Sequence, residues 1–205
     1  MVGIEHIKNL KAPVIFAPNH SNELDAVLLP LALPFLGRFS PLFYVARERE
    51  YYKHPVFKWR GYLYGGFGFM LLGAYPILAG KKNYALALAG HLKILGDNGS
   101  VCIFPEGSFT KTGELGIPHG GVAYLSFASG RPVVPVYISG TYKLSLKNML
   151  LRRVFIRIEF CQPLAPQDLF VSPTAEPSIE EYHEAAEKIF GKIREARESH
   201  VALSV

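Results

Sequence analysis

The residues with the clearest capacity for chemistry sit near the start of the chain, in "VIFAPNHSNELDAVLL", Val14 to Leu29. His20 and Asp25 lie at the joint between two apolar runs. An aspartate that accepts a bond from one imidazole nitrogen fixes the tautomer and leaves the other nitrogen free to act as a base. The same residues also read as a capped helix start that happens to contain a histidine. His-x4-Asp alone is a weak motif, and its position adds weight. A strand that ends near His20, followed by a helix with Asp25 in its first turn, brings both to the mouth of a sheet, where α/β folds hold their sites.

A second candidate is "VCIFPEGSFTKTG". An apolar strand delivers Glu106 and Gly107 into a polar turn, and Gly107 permits close backbone approach to a ligand. Glu106 reads either as a substrate-orienting carboxylate or as a solvated turn residue. A third stretch, "GRPVVPVYISG", is structural by itself.

In order and spacing these stretches resemble the glycerolipid acyltransferases, which include the 1-acylglycerol-3-phosphate acyltransferases. Asn19 to Asp25 is similar to that family's NHxxxxD motif, and Phe104-Pro105-Glu106-Gly107-Ser108 to its FPEG(T/S) motif. Val134-Pro135-Val136-Tyr137 resembles the VPV segment, and Gly73-Ala74-Tyr75-Pro76-Ile77 the motif G-x-x-P/F-I/V-x-R. The resemblance spans residues 13–140, and the two halves His-x4-Asp and FPEG, about 80 residues apart, are far more specific together than singly. It implies transfer of a fatty acyl group from acyl-CoA or acyl carrier protein to the free hydroxyl of a lysoglycerolipid, with 1-acylglycerol-3-phosphate as the first acceptor. His20 would be the base, Asp25 its orienter, and Glu106, Gly107 and Ser108 would hold the acceptor, with backbone N–H groups near the start of the helix after His20 as candidates to stabilise the oxyanion. No cofactor and no metal are implied, the acyl donor being a substrate.

Two positions depart from the family pattern. Phe109 stands where the third motif often has arginine, and Ala79 where the second usually ends in one. Arginine pairs phosphate bidentately. Lys81, Lys82 and Lys111 lie nearby in sequence and read either as replacement point charges or as solvated loop lysines. The departures leave two alternatives open: another lysophospholipid as acceptor, or a relative that binds lipid without catalysis. No G-x-S-x-G elbow supports a serine hydrolase.

The elements that must position these residues are legible from pattern. "APVIFAP", "PLFYVARERE", "AYPIL", "SVCIFP", "RPVVPVYISG" and "RRVFIRIEF" read as strands, the last with Val154, Ile156 and Ile158 on one face. Helices are expected after His20, capped by Ser21 or Asn22 and kinked or ended by Pro30 and Pro34. Others are expected over "NYALALAGHLKILGDNG", capped by Asn83 and stopped at Gly99, and over "HGGVAYLSFASG", stopped at Gly130. The last, over 178–200, has a Ser178/Glu181 capping box and a stripe of Ile179, Tyr182, Ala186, Ile189 and Ile193. The alternation implies an α/β fold, with helices flanking a mostly parallel or mixed central sheet. With the resemblance it reads as one glycerol-3-phosphate acyltransferase-like domain over 1–205, with a Pro-rich tether at 163–178.

Composition suits this reading. The chain of 205 residues is 49% hydrophobic with a mean hydropathy of +0.16 and a net charge of +5. Residues 61–160 carry ten basic and four acidic side chains, whereas 161–205 carry four and eight. A basic body with an acidic tail suits an anionic surface or a phosphate-bearing substrate. No zinc spacing, basic run or RNA-binding signature points to nucleic acid. Cys102 and Cys161 make no disulfide framework, which fits a reducing compartment, and no signal peptide is visible. The uncharged run between Arg60 and Lys81 is interrupted by glycines and tyrosines. It favours a buried or interface-lying helix over a membrane span. The aromatic region Trp59–Pro76, flanked by Lys53, Lys58, Arg60, Lys81 and Lys82, is the candidate contact with the membrane, on its cytoplasmic side.

Overall fold

The computed structural model describes residues 1–34, 37–48, 73–77, 83–144, 147–148, 151, 155–170 and 176–202. Short apolar runs make the strands β1 (Ile15–Pro18), β2 (Leu42–Ala46), β3 (Ala74–Pro76), β4 (Ser100–Cys102), β5 (Val133–Ser139) and β6 (Arg157–Phe160). They form one six-stranded sheet in the order β3-β2-β4-β1-β5-β6. All neighbours are parallel except β5 and β6. The expected mixed sheet is therefore present.

β1 is central and buried on both faces, so its side chains alternate between two apolar cores. Ile15 and Ala17 join one core with Leu125, Val133 and Ile189, and Val14 and Phe16 join the other with Leu29, Val134 and Phe160. Phe16, Leu29, Leu125, Phe160 and Ile189 are wholly buried. Each such side chain contributes about 1.5–3 kcal/mol relative to exposure.

The helices are α1 (Ile4–Lys8), α2 (Asp25–Ala32), α3 (Tyr84–Gly96), α4 (Gly121–Ser129), α5 (Pro166–Leu169) and α6 (Ile179–Ala202). α2 covers the face of the second core through Leu29 and Ala32, whereas α3, α4 and α6 cover the first. Several sequence signals hold. Asn83 Oδ1 accepts from Leu86 N at 3.2 Å, Gly130 ends α4, and Ser178 and Glu181 exchange both capping-box bonds.

Others are corrected. α3 ends at Gly96, before Gly99. Pro30 lies inside α2 without ending it, and the helix stops at Ala32, ahead of Pro34 as expected. Ile179 is exposed, because the first turn of α6 overhangs the core that its later turns cover. The strand expected over "RRVFIRIEF" begins only at Arg157, where pairing with β5 starts, and Val154 lies outside the described residues. Within the expected tether, Leu164 bridges Val133, and Leu169 and Phe170 are buried. The 163–170 part thus packs on the body, anchored by apolar side chains that a linker reading overlooks. Among the described residues no helix is long and apolar enough to cross a membrane. The sequence expectations for 59–72, Lys53, Lys58, Ala79, Lys81 and Lys82 lie outside the described residues.

One buried polar group has a measurable consequence. His91 of α3 is fully buried, with Nε2 donating to the Tyr75 carbonyl of β3 at 3.2 Å. Its ring meets the Tyr75 ring edge-to-face at 5.4 Å. Burial pushes its pKa below the ordinary 6.5, partly offset by the carbonyls of Tyr75 and Tyr44. The unfolded chain therefore binds this proton more readily, so stability rises with pH across the window between the two values. His91's contribution is complete above pH 6.5 and is lost as pH falls below it. Melting temperatures measured between pH 8 and pH 5 are expected to fall, and His91→Leu is expected to flatten that slope. An unchanged slope in the variant would assign the acid sensitivity to other groups.

Candidate active site

β1 and β4 are adjacent parallel strands, yet their following segments leave toward opposite faces of the sheet. β1 leads to α2 on one side and β4 leads to α4 on the other. Such a divergence opens a crevice at the strands' carboxyl ends. His20 follows the end of β1, and Phe104 to Gly107 follow the end of β4, so the topology places both motifs at that crevice.

His20 Nδ1 lies 3.1 Å from Asp25 Oδ2, with the His20 side chain 16% exposed and Asp25 fully buried. A donor at Nδ1 leaves the Nε2 lone pair for a substrate. The same Asp25 oxygen accepts from Ser21 N at 2.6 Å and Asn22 N at 2.8 Å. Asp25 thus closes the loop that carries His20, and neither Ser21 nor Asn22 caps α2 through its side chain. Instead, Asn22 Oδ1 accepts from Leu24 N inside the turn. The Ser21 and Asn22 N–H groups are consumed by Asp25, and those of Leu24 and Asp25 by Asn22. These four donors therefore do not form the oxyanion hole that the sequence suggested.

The segment after β4 grips the backbone of His20 from both ends. Glu106 Oε1 accepts from His20 N at 2.8 Å, and Thr110 N donates to the His20 carbonyl at 2.9 Å. Glu106 Oε2 accepts from Gly116 N at 2.7 Å. Glu106 is buried, so it is not a solvated turn residue, and both its oxygens face main-chain donors rather than the crevice. Burial pushes its carboxyl above the usual carboxylate range, while the His20 and Gly116 N–H groups and the His20 charge pull it back. A Cβ at Gly116 would stand 2.7 Å from Glu106 Oε2, so a larger residue there would displace the carboxylate from its two donors. Gly107, at φ 67°, turns the chain where a side chain would be strained.

Sequence reasoning assigned no role to three further residues that shape the site. Phe104 stacks on the imidazole, with centroids 3.9 Å apart and planes 20° from parallel, which fixes the ring's plane. Phe109 approaches its edge at 6.0 Å. Asn19 links β1 to β5, donating to the Ile138 carbonyl at 2.9 Å and accepting from Ile138 N at 2.7 Å. Asn19 mimics a strand partner where β1 has ended, and its place just before His20 was the available signal. Gly107, Ser108 and Lys111 lie exposed on the loop, with the Lys111 carbonyl accepting from Tyr142 Oη at 2.9 Å. Among the described residues no cluster of His, Cys, Asp and Glu gathers as metal ligands.

A family model described as Acyltransferase matches residues 1–139. The chain belongs to the acyltransferase family. The two stretches that resemble the family's motifs both lie within the matched residues and meet in one crevice. Among relatives, it is 25% identical over 143 residues to 1-acyl-sn-glycerol-3-phosphate acyltransferase BAT2, chloroplastic, of Brassica napus. That match covers 69% of this acyltransferase chain but only 37% of the relative's length. Among solved structures, it is similar to the 1-acyl-sn-glycerophosphate (LPA) acyltransferase PlsC of Thermotoga maritima, with a TM-score of 0.61 and 23% identity. The alignment covers 97% of this chain and 70% of that one, and it shows a shared fold.

Proposed function

We propose that this acyltransferase moves a fatty acyl group from acyl-CoA or acyl carrier protein to the free hydroxyl of 1-acylglycerol-3-phosphate, in phospholipid synthesis. The observation that carries the reading is the His20–Asp25 pair at 3.1 Å, which leaves Nε2 as the nitrogen available to a substrate. The acceptor hydroxyl has a high pKa and attacks poorly as the neutral alcohol. His20 Nε2 takes its proton as the oxygen bonds to the thioester carbonyl carbon. Asp25 holds the imidazolium that forms. The tetrahedral intermediate collapses, the C–S bond breaks, and the departing thiolate recovers the proton from His20. The nucleophile belongs to the substrate, so no acyl-enzyme is required.

The crevice rim supports a lipid partner. Phe109 (46% exposed), Ile117 (78%), Leu151 (49%) and Phe155 (83%) are exposed in the segments that follow β4 and β5, and Phe109 meets the His20 ring. Exposed apolar side chains on the segments that leave these strands suit a membrane surface better than bulk water. The reading places the chain peripherally on the cytoplasmic side of a membrane.

A second acceptor class is favoured by Phe109. An aromatic ring, not a cation, stands beside the imidazole, which suits a lysophospholipid whose phosphate is a diester with a head group and so carries less charge. The test is an acceptor panel of lysophosphatidic acid, lysophosphatidylcholine, lysophosphatidylethanolamine and lysophosphatidylglycerol, with both donors, read by mass spectrometry. Phosphatidic acid as the dominant product is expected. Preference for another acceptor selects the second class, and absence of transfer to every acceptor overturns both.

A further inference from the structure

The Glu106 carboxylate that grips His20 N is itself held at its other oxygen by Gly116 N, 2.7 Å away. That N–H belongs to the peptide joining Leu115 to Gly116. The peptide is planar, so whatever fixes Leu115 also aims the Gly116 N–H. Leu115 is fixed by α6, a helix that carries none of the motif residues.

The half-buried Leu115 side chain packs against a small apolar cluster of Tyr137 from β5, Cys161 after β6, and Phe190, Ile193 and Ala196 from α6. This cluster is separate from the two main cores of the sheet, and Phe190 and Ile193 in it are wholly buried. Cys161 Sγ donates to the Lys192 carbonyl at 3.5 Å, which ties the end of β6 to the same stretch of helix. One residue before Leu115, Glu114 accepts from Arg197 of α6. That ion pair is largely exposed at Glu114, and such pairs contribute little. The apolar contact of Leu115 is therefore the main tie between α6 and the segment after β4.

We propose that Leu115 is a positioning residue for His20: seated on α6 and β5, it holds the Gly116 N–H against Glu106, and Glu106 holds the His20 backbone. The two carboxylate oxygens are rigidly joined. A Gly116 N–H that drifts lets the whole group turn, and His20 N loses its acceptor. Thr110 N still holds the His20 carbonyl, and Thr110 Oγ1 still accepts from Gly113 N. The loop tip therefore stays in place while the base loses its alignment.

The catalytic consequence rests on the reading of His20 as base, but the anchorage does not. Leu115→Ala on the full chain removes the apolar contact and leaves both main cores whole. The expected result is a kcat lower by about tenfold, as small misplacements of a catalytic group are costly, with the acceptor KM unchanged. The amide protons of His20 and Gly116 should exchange with deuterium about tenfold faster, through local opening of the segment. Leu115→Met refills the volume and should restore both readouts. Ile189→Val thins the packing of the same helix in the first core, and it should lower the melting temperature while leaving kcat and both exchange rates unchanged. An equal fall of kcat in Ile189→Val reduces the effect to stability and overturns the proposal. Wild-type kcat in Leu115→Ala, or a raised KM with kcat intact, overturns the positioning role. If the wild-type chain transfers no acyl group, the base reading fails, and the two exchange rates still decide whether Leu115 holds Glu106 in place.

Discussion

His20→Ala is expected to lower the rate of acyl transfer by about 10²–10⁴-fold, the usual contribution of a positioned general base, while leaving the fold in place. His20 is partly exposed and its side chain supports no core. The Asp25 bonds to Ser21 N and Asn22 N do not depend on the imidazole, so the loop closes without it. Thiol release in the presence of lysophosphatidic acid, followed with circular dichroism on the same sample, measures both halves. A folded variant with full activity would remove His20 from the chemistry. Loss of helical signal along with activity would instead make His20 a structural residue.

Glu106→Ala carries the second large effect, of a different kind. The side chain accepts two main-chain N–H bonds in a buried setting, and hydrogen bonds to charged groups contribute about 1.5–3 kcal/mol each. Desolvation, which dominates the upward displacement of its carboxyl, offsets part of this. A net loss of about 3 kcal/mol corresponds to a fall of about 6–12 °C in melting temperature for a chain of this size. Activity should fall with it, because the His20 backbone loses its grip at the N–H. Glu106→Gln keeps one acceptor but sets an amide N–H₂ against the second donor, so an intermediate loss is expected. A variant with wild-type stability and a raised acceptor KM would return Glu106 to the role its motif first suggested, as a contact to the substrate.

The sequence made much of this legible, for identifiable reasons. β1 and β5 were plain because a strand buried on both faces is a continuous apolar run. The capping box of Ser178 and Glu181 was plain because it is written in residues three apart. The pairing of His20 with Asp25 is local, and local geometry follows from spacing. What escaped depends on contacts between distant segments. The 86 residues separating His20 from Glu106 hide a bond between a backbone N–H and a carboxylate, and no spacing rule encodes it. The orientation of Asn19 toward Ile138, 119 residues away, is hidden for the same reason. The start of α2 was misread because three polar residues in a row offer several caps. The choice of Asp25 as acceptor is decided by the fold that holds it.

The grip on His20 also separates what may vary from what must stay. Apart from Glu106 and the packing of Leu115, the segment after β4 holds its place through main-chain groups of Thr110 and Gly116, with Thr110 Oγ1 accepting from Gly113 N. Ser108, Phe109 and Lys111 contribute no side-chain hydrogen bond to that anchorage among the described residues. The tip of the loop is thus a replaceable cassette mounted on a fixed frame. On the proposed function, exchanging residues 108, 109 and 111 is expected to change which head group is admitted, while His20 stays where β1 and the frame have put it.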